Sequence, residues 1–282
     1  ITQDGTTLKV SGKGKAEYTV STLDKEAIEA FPGEDDVDWD DVQPIDASDA
    51  LTVMEVAARY ASRKEENPSI VGVNLRVSNG KLAVESTDGV RLFSDRVDLP
   101  APGFPFKEDE VLLPPRMVNE LNKVFPTGEV SFAATTNLFF ARDPNGETIF
   151  ASRRIGGKFP DVSKLVPSYQ EPLAVPRAEL SETLDRMRGV IKAKPVQLRF
   201  EQDELRLHAK TSTGAAIEYI ALPNGPADPV EVAFNVDYLA DAISLFKGTE
   251  LKFHVLTPLR PVKVTDDASP ELFFLLAPVK YN

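Results

Sequence analysis

The sequence contains no cysteine, only two histidines and only one tryptophan in 282 residues. Without a thiol there can be no disulfide framework, no thiolate zinc site and no thiol nucleophile. No stretch is apolar and long enough to span a bilayer, and no signal-peptide pattern opens the chain. No membrane association is therefore expected, and a cytoplasmic location fits best. His208 and His254 each sit inside an alternating, strand-like run (LRLHAK and LKFHVL), the setting of a structural or surface histidine rather than a general base. None of the patterns G-x-S-x-G, H-E-x-x-H or G-x-x-x-x-G-K-[ST] occurs.

Three partial motifs fail on inspection. Gly12-Lys-Gly14 begins like a dinucleotide fingerprint, but Glu17 stands where the third glycine belongs and the stretch lies between strands. Asp36, Asp38 and Asp40 have the spacing of a calcium loop, yet Asp41 and Ala47 occupy its glycine and glutamate positions. Asp266-Asp267 reads as a turn between two strands. No catalytic residue, metal site or cofactor is expected, and an enzyme is the least favoured class.

What the chain does have is a long-period repeat. Val73-Asn-Leu-Arg-Val followed by Asn79-Gly-Lys-Leu82 recurs as Val196-Gln-Leu-Arg-Phe followed by Gln202-Asp-Glu-Leu205, an offset of 123 residues. Residues 111–125 lie over residues 232–246 at an offset of 121, and Phe31-Pro32 matches Phe159-Pro160 at 128. Solenoid repeats run at roughly 20–50 residues, so this is a duplicated domain. Two full copies over 46–166 and 167–282 are expected, with an acidic linker over 34–45 and the tail of a further copy over 1–33. On this spacing about 97 residues of that front copy are missing before Ile1, and the chain reads as a fragment.

Each copy is expected to hold two helices, over 49–64 and 115–125 in one and 177–194 and 236–247 in the other, among short alternating strands. Apolar stripes at helical spacing mark their core faces: Val53, Ala57 and Tyr60; Val118, Leu121 and Phe125; Leu180, Leu184, Met187 and Ile191; Leu239, Ile243 and Phe246. This composition implies an α+β fold of repeated domains, each with two helices packed on antiparallel sheets. The formal charge is −12, against a protein that coats nucleic acid with a basic surface. The four helices nevertheless carry eleven basic against eight acidic residues.

Three phrases in order carry a resemblance: Thr87-Asp88-Gly89-Val90-Arg91-Leu92; Gly157-Lys158-Phe159-Pro160-Asp161 with Leu165 and Pro167; and Phe234-Asn235-Val236-Asp237-Tyr238-Leu239. Together they are similar to the bacterial DNA polymerase III β subunit, the DNA sliding clamp, over nearly the whole chain. The resemblance implies the DNA clamp (processivity) fold in a non-catalytic ring of two head-to-tail subunits, with helices lining a hole that passes duplex DNA without sequence preference. Its lining candidates are Arg59, Arg63, Lys64, Arg116, Lys123, Arg186, Arg188, Lys192 and Lys194. It also implies an apolar groove that takes short peptide motifs from the polymerase III catalytic subunit, the clamp loader and repair polymerases. Carried over, the groove comprises Ile70, Thr87, Gly89, Arg91 and Leu92; Pro160, Lys164 and Leu165; Asn235 and Tyr238; and Leu275, Leu276, Ala277, Pro278 and Val279. Val90 departs from a frequent histidine, and Lys164 from a frequent arginine. The alternative is a truncated clamp-like adaptor that keeps the groove without closing a ring.

Overall fold

The computed structural model describes residues 1–12, 16–22, 37–40, 42–64, 66–99, 110–166, 171–191, 194–212 and 214–281. Residues 1–39 and 40–282 form two compact units. In the first, β1 (Thr2–Asp4), β2 (Thr7–Ser11) and β3 (Glu17–Ser21) make an antiparallel meander, with Leu8 opposite Val20 and Val10 opposite Tyr18. Phe31, Pro32 and residues 34–36 and 41 of the acidic linker lie outside the described residues.

The second unit holds both full copies. One comprises β4 (Ile45–Asp46), α1 (Ala47–Ala58), β5 (Val73–Ser78), β6 (Lys81–Thr87), β7 (Arg91–Asp98), β8 (Glu110–Leu113), α2 (Pro115–Val124), β9 (Glu129–Ala134), β10 (Leu138–Arg142) and β11 (Ile149–Arg153). The short helix α3 (Val162–Leu165) follows. The other copy repeats the order: β12 (Leu173–Pro176), α4 (Arg177–Ile191), β13 (Pro195–Phe200), β14 (Glu204–Thr211), β15 (Gly214–Ala221), β16 (Val230–Asn235), α5 (Val236–Ile243), β17 (Glu250–His254), β18 (Val262–Thr265) and β19 (Phe273–Leu276).

Sheet pairing does not stop where one copy ends. Two four-stranded sheets, β11-β10-β9-β4 and β15-β14-β13-β16, flank an eight-stranded sheet in the order β12-β17-β18-β19-β7-β6-β5-β8. At its centre β19 of the second copy pairs antiparallel with β7 of the first, setting Phe274 opposite Phe93 and Leu275 opposite Leu92. Strand alternation then divides the sheet into two faces. Val73, Leu75, Val84, Phe93, Phe274 and Leu276 point into the main core beneath the helices. Leu92, Leu112 and Leu275 point the other way, where Phe159 and Val162 cover them.

Two helices end sooner than expected: α1 stops at Ala58 rather than 64, and α5 at Ile243 rather than 247. Helix α2 ends at Val124, and α4 is described as far as Ile191. The core stripes of α2, α4 and α5 are buried as their spacing predicts. Helix α1 differs: Ala47, Ala50, Leu51, Met54 and Ala57 are its buried face, and Val53 lies only part-buried beside it. Asp46 caps α1, accepting from the Ser48 N–H at 2.8 Å.

Candidate functional site

The groove candidates do gather, at the seam where β7 meets β19. The Ser62 N–H is shared between the carbonyls of Ile70 and Thr87, at 2.9 and 3.1 Å, which draws the turn Pro68–Ile70 against the end of β6. Thr87 Oγ1 accepts from the Gly89 N–H at 3.0 Å and donates to the Arg91 carbonyl at 2.7 Å, closing the β6–β7 turn. Gly89 has φ +87°, a conformation that suits glycine, and a side chain there would point toward Ile70. The Ala277 N–H donates to the Val90 carbonyl at 2.8 Å, and the Val279 N–H to the Ala233 carbonyl at 2.8 Å, so the tail after β19 is tied to both copies.

Arg91 is the pin of this seam. Its guanidinium stacks over Tyr60 and Tyr238, 4.9 and 4.2 Å from the ring centroids. It donates to Asp88 Oδ2 at 3.1 Å in its own copy and to Asp241 Oδ2 at 2.8 Å on α5 of the other. Burial pulls its pKa down, but the bonds from Asp241 and Asp88 outweigh that and hold it above the ordinary arginine value. Asn235 is engaged in capping: its Oδ1 accepts from Asp237 and Tyr238 N–H at 2.9 and 3.3 Å, which fixes the start of α5 and hence the Tyr238 ring.

Burial separates the candidates into two kinds. Leu92, Leu275 and Leu276 are buried, Leu276 to 1% exposure inside the main core. They build the floor rather than offer surface. Val90 and Leu165 are exposed, while Ile70, Pro160, Tyr238, Ala277, Pro278 and Val279 are part-buried, leaving an apolar strip with Lys164 at its rim. Val90 belongs to this strip although the groove set carried over from the sequence omits it; its position in the Thr87–Leu92 turn was the available signal.

The basic candidates divide by helix pair. Arg116 and Lys123 lie exposed on α2, and Arg186 and Arg188 on α4, with Arg188 part-buried. Arg59, Arg63 and Lys64 follow α1 rather than lying on it, and Lys194 precedes β13. Lys192 lies outside the described residues. Several are partly neutralised by neighbours: Arg59 by Glu55 at 3.4 Å, Lys123 by Glu120 at 3.0 Å, Arg186 by Glu218 at 3.1 Å and Arg188 by Asp237 at 2.8 Å.

Neither histidine has catalytic surroundings. His208 meets the Tyr281 hydroxyl at 3.0 Å and His254 meets Thr265 Oγ1 at 3.0 Å, on different sheets; burial, then nearby lysine or arginine, lowers both pKa values. Asp266 is buried and accepts from the N–H groups of Lys247, Gly248 and Ser269, which makes it a structural cap. Among the described residues no cluster of three or more His, Asp or Glu is placed to hold a metal ion, and no helix is long and apolar enough to cross a membrane.

Comparison with known proteins agrees with the repeat. Residues 48–161 match the family model for the DNA polymerase III β subunit central domain, and residues 164–280 match that for its C-terminal domain. The chain is 27% identical to the β sliding clamp of Lactococcus lactis, covering 95% of this chain and 72% of that protein. It is 24% identical to the clamp of Bacillus subtilis, over 97% of this chain and 72% of the relative. The crystal structure of the Bacillus subtilis DNA polymerase sliding clamp superposes with a TM-score of 0.81 at 21% identity, over 99% of this chain and 74% of that one.

Proposed function

Because the chain belongs to the DNA polymerase III β subunit family, the sliding clamps, which are non-catalytic processivity factors of DNA replication, we propose that it encircles duplex DNA in the cytoplasm. There it tethers the replicative polymerase, the clamp loader and repair polymerases through the apolar strip at the β7–β19 seam. The observation that carries the tethering role is the strip itself. Val90, Leu165 and the Ala277–Pro278–Val279 tail expose apolar surface around the Tyr238 ring, while Leu92 and Leu275 make a rigid floor beneath it. An extended peptide with two or three apolar side chains suits such a surface. Leu165→Asp with Val279→Asp is expected to weaken a motif peptide about tenfold or more by fluorescence anisotropy. Unchanged affinity in that titration would remove the strip from the binding surface.

The helix layer supports the DNA role. Of the basic candidates on and beside the helices, Arg59, Lys123, Arg186 and the part-buried Arg188 are paired with Glu55, Glu120, Glu218 and Asp237. Such a surface attracts phosphate diffusely instead of gripping it, since each tight phosphate contact adds affinity and salt dependence together. A ring that slides needs the diffuse kind.

The repeat also suggests how subunits join head to tail. β15 is the counterpart of β7 at the 123-residue offset, and β7 pairs with β19 whereas β15 stands at the edge of its sheet. Its Ile217 and Tyr219 are exposed, at 47% and 57%. The matching strand of the front copy is β3, with Tyr18 and Val20 exposed. Pairing of β3 with β15 of a second subunit would reproduce the β19–β7 joint between chains. Ile217→Asp with Tyr219→Asp is expected to shift the chain to monomer, raising the dimer dissociation constant at least about tenfold. Sedimentation equilibrium that finds the same constant in both proteins refutes this pairing.

A further inference from the structure

The segment after β19 forms one edge of the apolar strip without belonging to a strand or a helix. Ala277, Pro278 and Val279 are part-buried, and none of them packs into either apolar core. Between this segment and the β17–β18 connection lies a recess of about 280 Å³, bordered by Ala233, Pro258, Leu259, Val279 and Tyr281. Hydrogen bonds rather than core packing therefore fix this edge.

Three such bonds are spaced two residues apart. The Ala277 N–H is held by the Val90 carbonyl and the Val279 N–H by the Ala233 carbonyl, each at 2.8 Å. The third is made by a side chain: the Tyr281 hydroxyl meets His208 Nδ1 at 3.0 Å, and the two rings stand edge to face with centroids 5.7 Å apart.

His208 is placed to receive that hydroxyl. Along β14, Leu205, Leu207 and Ala209 are buried in the core, so Arg206, His208 and Lys210 stand on the opposite face. Gln197, opposite His208 in the β13–β14 register, turns to Glu231 at 3.2 Å, and Ile217 on the β15 side is apolar. Among the described residues Tyr281 is thus the one hydrogen-bond partner of the His208 ring. The protonation states agree with this pairing. Burial, then Arg206 and Lys210, lowers the imidazole pKa, while burial raises that of the Tyr281 hydroxyl against the pull of Arg206. A neutral imidazole can accept on Nδ1 from a hydroxyl that stays protonated.

We infer that Tyr281 is a positioning residue for the peptide strip: clasped on His208, it holds Pro278 and Val279 where the apolar side chains of a partner segment meet them. The inference rests on the peptide-binding reading of that strip. With the clasp open, the edge is in place only part of the time, and apparent affinity falls by that fraction.

Tyr281→Phe keeps the ring and removes the hydroxyl. It is expected to weaken a fluorescent motif peptide about fivefold, the factor for one ordinary hydrogen bond, at an unchanged denaturant midpoint. His208→Ala should weaken the peptide to a like extent, and the double variant no further than the weaker single one. His208→Asn, which returns an acceptor near the Nδ1 position, should restore affinity to within about twofold of wild type. Amide exchange at Val279 is expected to quicken about fivefold in Tyr281→Phe, while that of β16 stays as it was. Unchanged affinity in Tyr281→Phe overturns the clasp, as do losses that multiply in the double variant. A His208→Asn protein as weak as His208→Ala assigns the effect to ring packing and overturns it too. If the wild-type chain binds no motif peptide, the strip reading fails, and exchange at Val279 alone decides the clasp. Faster exchange in Tyr281→Phe then upholds it as what holds this edge, and equal exchange overturns it.

Discussion

Leu276→Ala is expected to lower the unfolding free energy by about 3 kcal/mol, within the 2–5 kcal/mol usual for emptying a buried leucine site. Leu276 sits in β19 at 1% exposure, opposite Arg91 of β7 and in the same core as Phe274, Phe93 and Tyr60. The seam leaves little freedom for collapse around the gap, since Phe274 packs edge-on against Tyr60 with centroids 5.0 Å apart. Denaturant titration reads the loss directly as a lower midpoint at unchanged slope. Leu165→Ala, on the exposed strip, is expected to change the unfolding free energy by less than about 0.5 kcal/mol. A Leu276→Ala protein as stable as the parent would mean that β19 does not hold the two copies together. Leu276, included in the groove on the resemblance, is therefore core rather than groove surface: its truncation weakens the fold before it informs on peptide binding.

The second large effect is at Arg91. Arg91→Ala is expected to cost about 2 kcal/mol, because it strands Asp88 and Asp241 and removes the cation from between two aromatic rings. The figure lies below the roughly 3–5 kcal/mol for a broken buried pair, since the Asp241 side chain is 45% exposed and water reaches it once the arginine is gone. A double-mutant cycle with Asp241→Asn isolates the bond between copies. A coupling energy near zero would assign the loss to the Asp88 bond and to stacking on Tyr60 and Tyr238. Motif-peptide affinity should fall with it, as Tyr238 loses the partner that holds its ring in the strip.

Much of this was legible in the chain. Three of four helix stripes fell where spacing put them, because leucine, isoleucine and phenylalanine at i, i+3, i+4 leave one face to bury. In the fourth, Ala57 and Tyr60 are buried as expected but Val53 is only part-buried, and the rest of the buried face, Ala47, Ala50, Leu51 and Met54, depends partly on small alanines whose burial hydropathy alone does not mark. The seam was the larger gap. Nothing local in Phe273–Leu276 says which strand it pairs with, and the pairing partner Arg91–Asp98 lies in the other copy.

The continuous eight-stranded sheet has a mechanical consequence. A hinge between two lobes needs a flexible crossing, but here the crossing is a hydrogen-bonded ladder of four residue pairs with packed side chains on both faces. Bending it would shear Phe274 past Phe93 and tear Arg91 from Asp241, so the two copies should behave as one stiff beam under load. If the proposed ring opens to admit DNA, the compliance would have to reside in the contacts between chains, and the seam would carry torque across the two copies without absorbing it.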